Sequence, residues 1–474
     1  MKTLSIRHSN YQIDLSAVQQ QFPERYPCLL ESIAHGTTQS RYDILFAFPG
    51  QHLELDHDNT LSLAGEVLEN SDFLDAFDDC WRQEKDVNTE SFESLPFRGG
   101  WFVYLAYEMA DQIEPTLKLT PPKQQCQLPK ALAIRFPAAI IRDHLEQKTI
   151  LLAEQGNEDL LNQIESDVTA PQKSKSNINT AALDVKEEPD LDFLDAIKII
   201  KQYILEGDVF QVNLSRQWHV DLPASTETNS ISASKLYQRL CLNNPAPFGG
   251  LFLYKDSAVI SSSPERLVSL NSSGKIESRP IAGTRPRSTD KADDNDLSRT
   301  LMRHPKEKAE HIMLIDLQRN DLGRICQAGS IHVDELMVLE SYAHVHHIVS
   351  NLCGQLRDNV TPGEVIRAVF PGGTITGCPK VHCMEIIAEL EQVARGPYTG
   401  SMGFINHDGS MDLNILIRTL HKEDEKISFR AGAGIVADSI AEKELEETRS
   451  KARGLLLALE VAALTHEEKK EIRQ

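Results

Sequence analysis

Residues 276–284 read IESRPIAGT, a strand that runs into a turn, and the pattern on either side of this run sets the fold class. The preceding run, 258–270, alternates weakly and is rich in Val, Ile and Ser. Asn271-Ser272-Ser273-Gly274 is a turn cluster, so the two runs are expected to pair as a hairpin. Pro280 marks the end of the second strand. Gly283 leaves no side chain between the backbone and a ligand, and Thr284 adds a hydroxyl and an amide beside it. Taken alone, the stretch serves equally well as an ordinary hairpin exit.

C-terminal to it, residues 293–321 carry Leu297, Leu301, Met313, Leu314 and Leu317 between charges, which predicts a long helix that Pro305 breaks or bends. FPGGTITG at 370–377 is a loop. Pro379 opens the helix that continues to 391, and its free N-terminal amides with Lys380 make a candidate anion seat. Strands at 400–406, 411–420 and 427–432, joined by polar turns, predict an antiparallel meander, and a last helix is expected over 441–464. On the other side, Phe193, Ile197, Ile200 and Ile204 predict a helix over 191–206 stopped by Gly207, followed by a strand at 209–215.

Further upstream, strand-like runs at 42–48 and 100–105 alternate with short polar links, as in an α+β layer. Residues 166–190 are polar, poor in large apolar side chains and contain two prolines, the composition of a linker. The expected organisation is an N-terminal α+β region over 1–165, a linker over 166–190 and a second domain over 191–466. No internal repeat is present.

The 474 residues are 41% hydrophobic and 25% charged, ordinary globular usage, and are long enough for a large interior. A formal net charge of −21 repels phosphate backbones and anionic membranes, so nucleic-acid and membrane-surface partners are not expected. An anionic substrate would need locally placed cations. No run approaches the length of a membrane span, and the eight cysteines form no CxxC pair, which together predict a cytoplasmic protein with reduced thiols.

Several side chains suit chemistry. Glu310 stands mid-helix, and Glu444 and Glu447 lie three apart on one helical face. Helical glutamates are as a rule solvated; the alternative is an oxygen-donor set for Mg²⁺. Ala431-Gly432-Ala433-Gly434 ends a predicted strand and lets backbone amides approach a ligand, or else makes a tight connection. Arg418 can fork onto a carboxylate, and Tyr398 adds a hydroxyl. His344, His346 and His347 cluster without a Cys or carboxylate at ligand spacing, so one histidine acting as acid or base suits them better than a metal centre.

RPIAGTRPR from Arg279, AEHIMLIDLQRNDLGR from Ala309, HHIVS from His346, FPGGTITGCPK from Phe370, GPYTGSMGF from Gly396 and AGAGIVADS from Ala431 together resemble the chorismate-utilising enzymes. That family comprises the large subunits of anthranilate synthase and aminodeoxychorismate synthase, with isochorismate and salicylate synthases. The resemblance spans about 190–460 in order and continues more loosely upstream. It implies a two-layer α/β (α+β) fold of the anthranilate synthase component I type, with large, mostly antiparallel sheets, flanking helices, and chorismate and Mg²⁺ bound between the sheets. It also implies Glu310 and Glu447 as metal ligands with Glu444 behind them, and Gly283, Thr284, Tyr398, Arg418, Gly432, Ala433 and Gly434 as chorismate contacts. Lys380 matches a carboxylate-binding lysine, His347 and Thr374 match residues near the departing C4 hydroxyl, and Glu265 matches an acid/base glutamate.

Gln211 stands where isochorismate-forming relatives place a lysine base, and an amide cannot take a proton, so the resemblance implies ammonia as nucleophile rather than water. Between amination products the matches divide. Ala282 occupies the place of a lysine that attacks the ring in many aminodeoxychorismate synthases, whereas anthranilate synthases resemble this chain in having alanine there. RYDILF from Arg41, GGWFVYLAYEMADQIEP from Gly99 and the Gly373 form of the loop resemble aminodeoxychorismate synthases. The balance implies 4-amino-4-deoxychorismate as product, handed to a separate aminodeoxychorismate lyase, with anthranilate the alternative. LLES from Leu29 to Ser32 resembles a tryptophan-pocket motif found in both groups. The chain has no Gly-x-Cys-x-Gly nucleophile stretch, so a separate glutaminase subunit is expected to supply ammonia from glutamine.

Overall fold

The computed structural model describes residues 4–459 except 10–12, 34–40, 70, 86–94, 121–125, 171–182, 223–231, 289 and 342–344. Two large sheets, antiparallel at every pairing among the described residues, pack face to face with helices on their outer faces. The first runs in spatial order Leu4–Ser9, Lys148–Glu154, Ala138–Asp143, Tyr42–Ala47, Cys28–Glu31, Phe248–Tyr254, Ser257–Ser263, Thr419–Glu423, Lys426–Ile435, Gln211–Asp221 and Val185–Glu187. The second runs Ile281–Pro286, Val345–Gln355, Lys275–Ser278, Arg266–Leu270, Met411–Asn414, Ser401–Asn406, Gly100–Leu105, Ala131–Phe136, His52–Leu55, Leu61–Leu63 and Glu66–Val67. The α+β expectation holds.

Between the sheets lies an aromatic layer in which Phe102 of the second sheet meets Phe46 and Phe252 of the first at ring-centroid distances of 5.5 and 5.2 Å. Alternate residues of each strand face this layer, and the others face helices. Helices Asp190–Glu206 and Lys380–Glu391 pack with strands Gln211–Asp221 and Lys426–Ile435, and helix Ala441–Ala458 packs on the latter. Helix Pro305–Gly323 packs on strands Ile281–Pro286 and Val345–Gln355. No helix among the described residues is long and apolar enough to cross a membrane.

Strands from before and after the expected linker share both sheets, each set contiguous and joined to the other at one pairing: Cys28–Glu31 with Phe248–Tyr254, and Gly100–Leu105 with Ser401–Asn406. Of the linker itself, residues 166–169 end helix Glu158–Thr169, 171–182 lie outside the described residues, and Val185–Glu187 pairs with Gln211–Asp221.

The expected break at Pro305 is present, dividing Lys291–Arg303 from Pro305–Gly323. Hairpin Arg266–Leu270/Lys275–Ser278 also forms as read. Three expectations are corrected. The run 258–270 is two strands, Ser257–Ser263 in the first sheet and Arg266–Leu270 in the second. Likewise 411–420 is not one strand: Met411–Asn414 belongs to the second sheet and Thr419–Glu423 to the first, so the meander is two hairpins in different layers. Finally, the strand read as 427–432 runs on to Ile435, so that 431–434 are its last residues but one. The last helix ends at Ala458, and the residues expected to extend it to 464 lie outside the described ones.

Candidate active site

The chain passes between the sheets at Pro264-Glu265 and again at 415–418, and the two crossings are bonded together. The Ile415 amide donates to the Glu265 carbonyl (3.0 Å) and the Ser262 amide to the Arg418 carbonyl (3.2 Å). Arg418 has φ +54°, the left-handed conformation that turns the chain from one layer to the other. Glu265 is 4% exposed. Burial pushes its carboxyl up to about 7, against the opposing pull of the Thr374 hydroxyl, the Ile281 backbone, Lys451 and Arg418. Burial also draws the Arg418 guanidinium down, against the attraction of Tyr398, Glu447 and Glu265. Among the described residues this guanidinium makes no hydrogen bond or ion pair.

The first sheet forms one wall. A β-carbon at Gly432 would lie 2.7 Å from the Tyr398 hydroxyl and 2.8 Å from Asn213 Oδ1, and one at Gly434 would lie 2.1 Å from Gln211 Nε2. The glycines are therefore required by side chains reaching across from strand Gln211–Asp221 and from the turn before Ser401. Ala433, between them, faces the helices instead. Helix Ala441–Ala458 brings Lys451 over this wall, where its Nζ donates to the Gly432 carbonyl (2.8 Å) and pairs with Glu447 (2.6 Å). Glu444, one turn earlier than Glu447, is buried.

The second sheet supplies the opposite wall. Strand Ile281–Pro286 bulges at Gly283, which has φ +67° and whose β-carbon would lie 2.7 Å from Glu307 Oε2. Glu310, three residues on from Glu307, shares its face of helix Pro305–Gly323. Thr284, of which only the backbone is described, pairs with His347. His347 is buried and hydrogen-bonded to the Gly283 backbone; burial, with Arg418 nearby, lowers it to about 4, so it is neutral at pH 7. Ala282 is buried and pairs with Ile348.

Four buried oxygens converge here without a hydrogen-bond partner among the described residues: Glu265 Oε1, Thr374 Oγ1, Gln211 Oε1 and Asn213 Oδ1. Thr374 stands near enough to Glu265 to favour its ionised form, yet neither oxygen completes a hydrogen bond of normal geometry. Unsatisfied buried polar atoms each cost about 1–3 kcal/mol, and a cluster of them marks a place built to be filled.

Beneath Tyr398 a charged network fixes this arrangement. Glu391 accepts from Arg395 (2.6 and 3.0 Å), Arg430 (3.1 Å) and Ser215, and Arg395 also donates to the carbonyls of Asn213 (2.8 Å) and Ile375 (3.1 Å). Burial disfavours the Glu391 carboxylate, but the two guanidiniums outweigh it and hold it below the usual range.

The remaining sequence-predicted residues are elsewhere. Lys380 is committed to Asp321 (2.7 Å); the ammonium that faces the site is Lys451, which the sequence reading missed. His346 faces away from His347 and bonds Asp294 (3.0 Å) and Ser341 (2.7 Å), as alternation along a strand requires, and His344 lies outside the described residues. Ser32 is buried against the Pro247 carbonyl (3.0 Å) and Asp43. Asn213 was also missed, although its position two residues from Gln211 on one strand places both side chains on one face. Among the described residues, the trios of possible metal ligands that converge within 4.8 Å are two others, and Glu310, Glu444 and Glu447 belong to neither.

The family model described as chorismate binding enzyme matches residues 27–457. An anthranilate synthase component I-like protein of Synechocystis is 42% identical over 372 residues, covering 78% of this chain and 74% of that protein. Aminodeoxychorismate synthase component 1 of Bacillus subtilis is 38% identical over 390 residues, covering 80% and 81%. The crystal structure of anthranilate synthase component I from Streptococcus pneumoniae superposes with a TM-score of 0.78 at 29% identity, covering 89% of this chain and 93% of that one. With a site of two cationic groups and unsatisfied buried acceptors held between two sheets, and a family match along nearly its whole length, the chain belongs to the chorismate binding enzymes.

Proposed function

We propose that the protein aminates chorismate with ammonia to give 4-amino-4-deoxychorismate. The observation that carries the reading is the unpaired Arg418 guanidinium facing the Glu265 carboxyl at the crossing of the sheets, with Lys451 beside them. Chorismate is a dianion, and Arg418 and Lys451 are the cations available to its carboxylates in a chain of net charge −21. Glu265, raised to about 7 and so keeping its proton in a large fraction of molecules at neutral pH, gives that proton to the departing C4 hydroxyl, which leaves as water. Ammonia forms the new C–N bond. The Glu265 carboxylate left behind then takes the surplus proton from the new ammonium, returning the site to its starting state. Gln211 offers an amide that orients a nucleophile without taking a proton, and neutral His347 offers a hydrogen bond without adding charge.

Mg²⁺ is the ion proposed for Glu310 and Glu447, because it takes one or two carboxylates and completes its shell with water and substrate oxygens; Glu444, one turn before Glu447, is buried. When bound it neutralises the substrate's charge against these glutamates. Glu310→Ala is expected to abolish turnover, and full activity in excess chelator would remove Mg²⁺ from the proposal. Ammonia is proposed to come from a separate glutaminase subunit, and the product to pass to a separate lyase.

A second reading, anthranilate, is favoured by Ala282, whose methyl group cannot attack the ring, and by relatives named anthranilate synthase, among them that of Aquifex aeolicus at 36% identity. Pyruvate separates the two. Chromatography of the products from chorismate, ammonia and Mg²⁺ is expected to show 4-amino-4-deoxychorismate with no pyruvate until a lyase is added. Anthranilate with stoichiometric pyruvate from the purified chain alone would establish the second reading.

A further inference from the structure

A cavity of about 220 Å³ shares Tyr398 with the substrate site. His421 and Glu423 stand two apart on strand Thr419–Glu423 and so face the same side, toward this cavity. Cys126, from the segment ahead of strand Ala131–Phe136, comes against them. One sulfur, one ring nitrogen and one carboxylate oxygen then lie within 4.8 Å of one another. The surroundings are prepared for an occupant. His421 Nε2, His57 Nδ1 and the Tyr104 hydroxyl are buried without a hydrogen-bond partner among the described residues, and Tyr104, which lines the cavity, is 0% exposed. Glu423 Oε1 accepts from the Gln127 amide and from the Ser257 hydroxyl (3.3 Å), which fixes the carboxylate.

We propose that Cys126, His421 and Glu423 bind one divalent transition-metal ion of the zinc type, with the fourth coordination position open to the cavity. Zinc takes thiolate, imidazole and carboxylate together, at roughly 2.3 Å to sulfur and 2.0–2.2 Å to nitrogen and oxygen, so tetrahedral ligands stand about 3.3–3.8 Å apart. A trio already within 4.8 Å closes to that spacing by side-chain rotation. The softness of the sulfur separates this site from the Mg²⁺ proposed at Glu310 and Glu447. The other converging trio, Glu277, Asp334 and Cys353, is already satisfied: the Lys275 ammonium lies 2.5 Å from Glu277 and Asn351 donates to Asp334 (2.9 Å). Metal binding would tie the Cys126 segment to the strand that continues from Arg418, and so to one wall of the substrate site.

The test uses the full chain, stripped with chelator and held in excess Mg²⁺. Zinc titration followed by elemental analysis is expected to show one equivalent per chain, with affinity reduced by more than about 100-fold in Cys126→Ser and His421→Ala and unchanged in Glu310→Ala. Cobalt in the unmutated chain is expected to give a near-ultraviolet thiolate charge-transfer band. That spectrum needs no variant, so a misfolded substitution leaves the test intact. Failure to take up zinc stoichiometrically, equal affinity in the two ligand variants, or a cobalt complex without the thiolate band would each overturn the proposal.

Discussion

Glu265 shows most clearly how one residue's surroundings set its task. Its carboxyl is raised from 4.5 to about 7, burial being the largest cause. A carboxyl raised on folding contributes stability below its unfolded value and loses it as pH rises through the folded one. Glu265→Gln is therefore expected to stabilise the protein by a few kcal/mol at pH 8, little at pH 4, and to lower kcat by about 10²–10⁴-fold. Thermal melts at both pH values and single-turnover kinetics check the pair of effects. In the unmutated protein, kcat/KM is expected to fall above about pH 7 as the acid form is lost, and a pH-independent rate through this range would remove Glu265 from that role. Arg418→Gln, which keeps length and loses charge, is expected to raise the KM for chorismate by about 10²-fold, measurable by initial rates. These roles were legible only through the motif resemblance, because a glutamate in SPERL gives no sign of its burial. Lys451 was legible by spacing, since Glu444, Glu447 and Lys451 recur at three and four along one helix. Lys380 misled because a lysine at a helix start does not reveal a partner at Asp321, 59 positions away in sequence.

Among the elements, strand Lys426–Ile435 carries the tightest requirement. A methyl at Gly432 would meet not only two movable side-chain atoms but also the Leu214 carbonyl at 2.8 Å, which belongs to the paired backbone. Gly432→Ala is expected to cost about 1–3 kcal/mol in a denaturant melt and to displace the Tyr398 hydroxyl, raising KM more than it lowers kcat. Strand positions were readable from alternation and turn residues, whereas the passage of 258–270 and 411–420 from one sheet to the other was not. A crossing changes which partners a strand meets while leaving the local hydrophobic period unbroken, so Ser257–Ser263 and Arg266–Leu270 read as one run. Helix limits were read well where a stop residue was present, as at Gly207, which has φ +87°.

At the level of the whole molecule, composition indicated a linker near 166–190, yet each sheet is built from both sides of it. Cutting there would leave Phe248–Tyr254 without Cys28–Glu31, and Ser401–Asn406 without Gly100–Leu105. Residues 191–474 expressed alone are accordingly expected to aggregate through these bared strand edges, and a monodisperse, folded fragment on size-exclusion chromatography would contradict this. The two crossings at Pro264-Glu265 and 415–418 have a mechanical consequence as well. Two sheets in contact only through side chains can slide past each other, but strands that pierce both layers act as rivets. A further pair of crossings, at 48–51 between Tyr42–Ala47 and His52–Leu55 and at Pro137 between Ala131–Phe136 and Ala138–Asp143, ties the layers again toward the edges formed by Leu4–Ser9 and Glu66–Val67. With two separated sets of rivets neither sliding nor rotation of one sheet over the other is free, and the spacing of Glu265 and Arg418 is held accordingly.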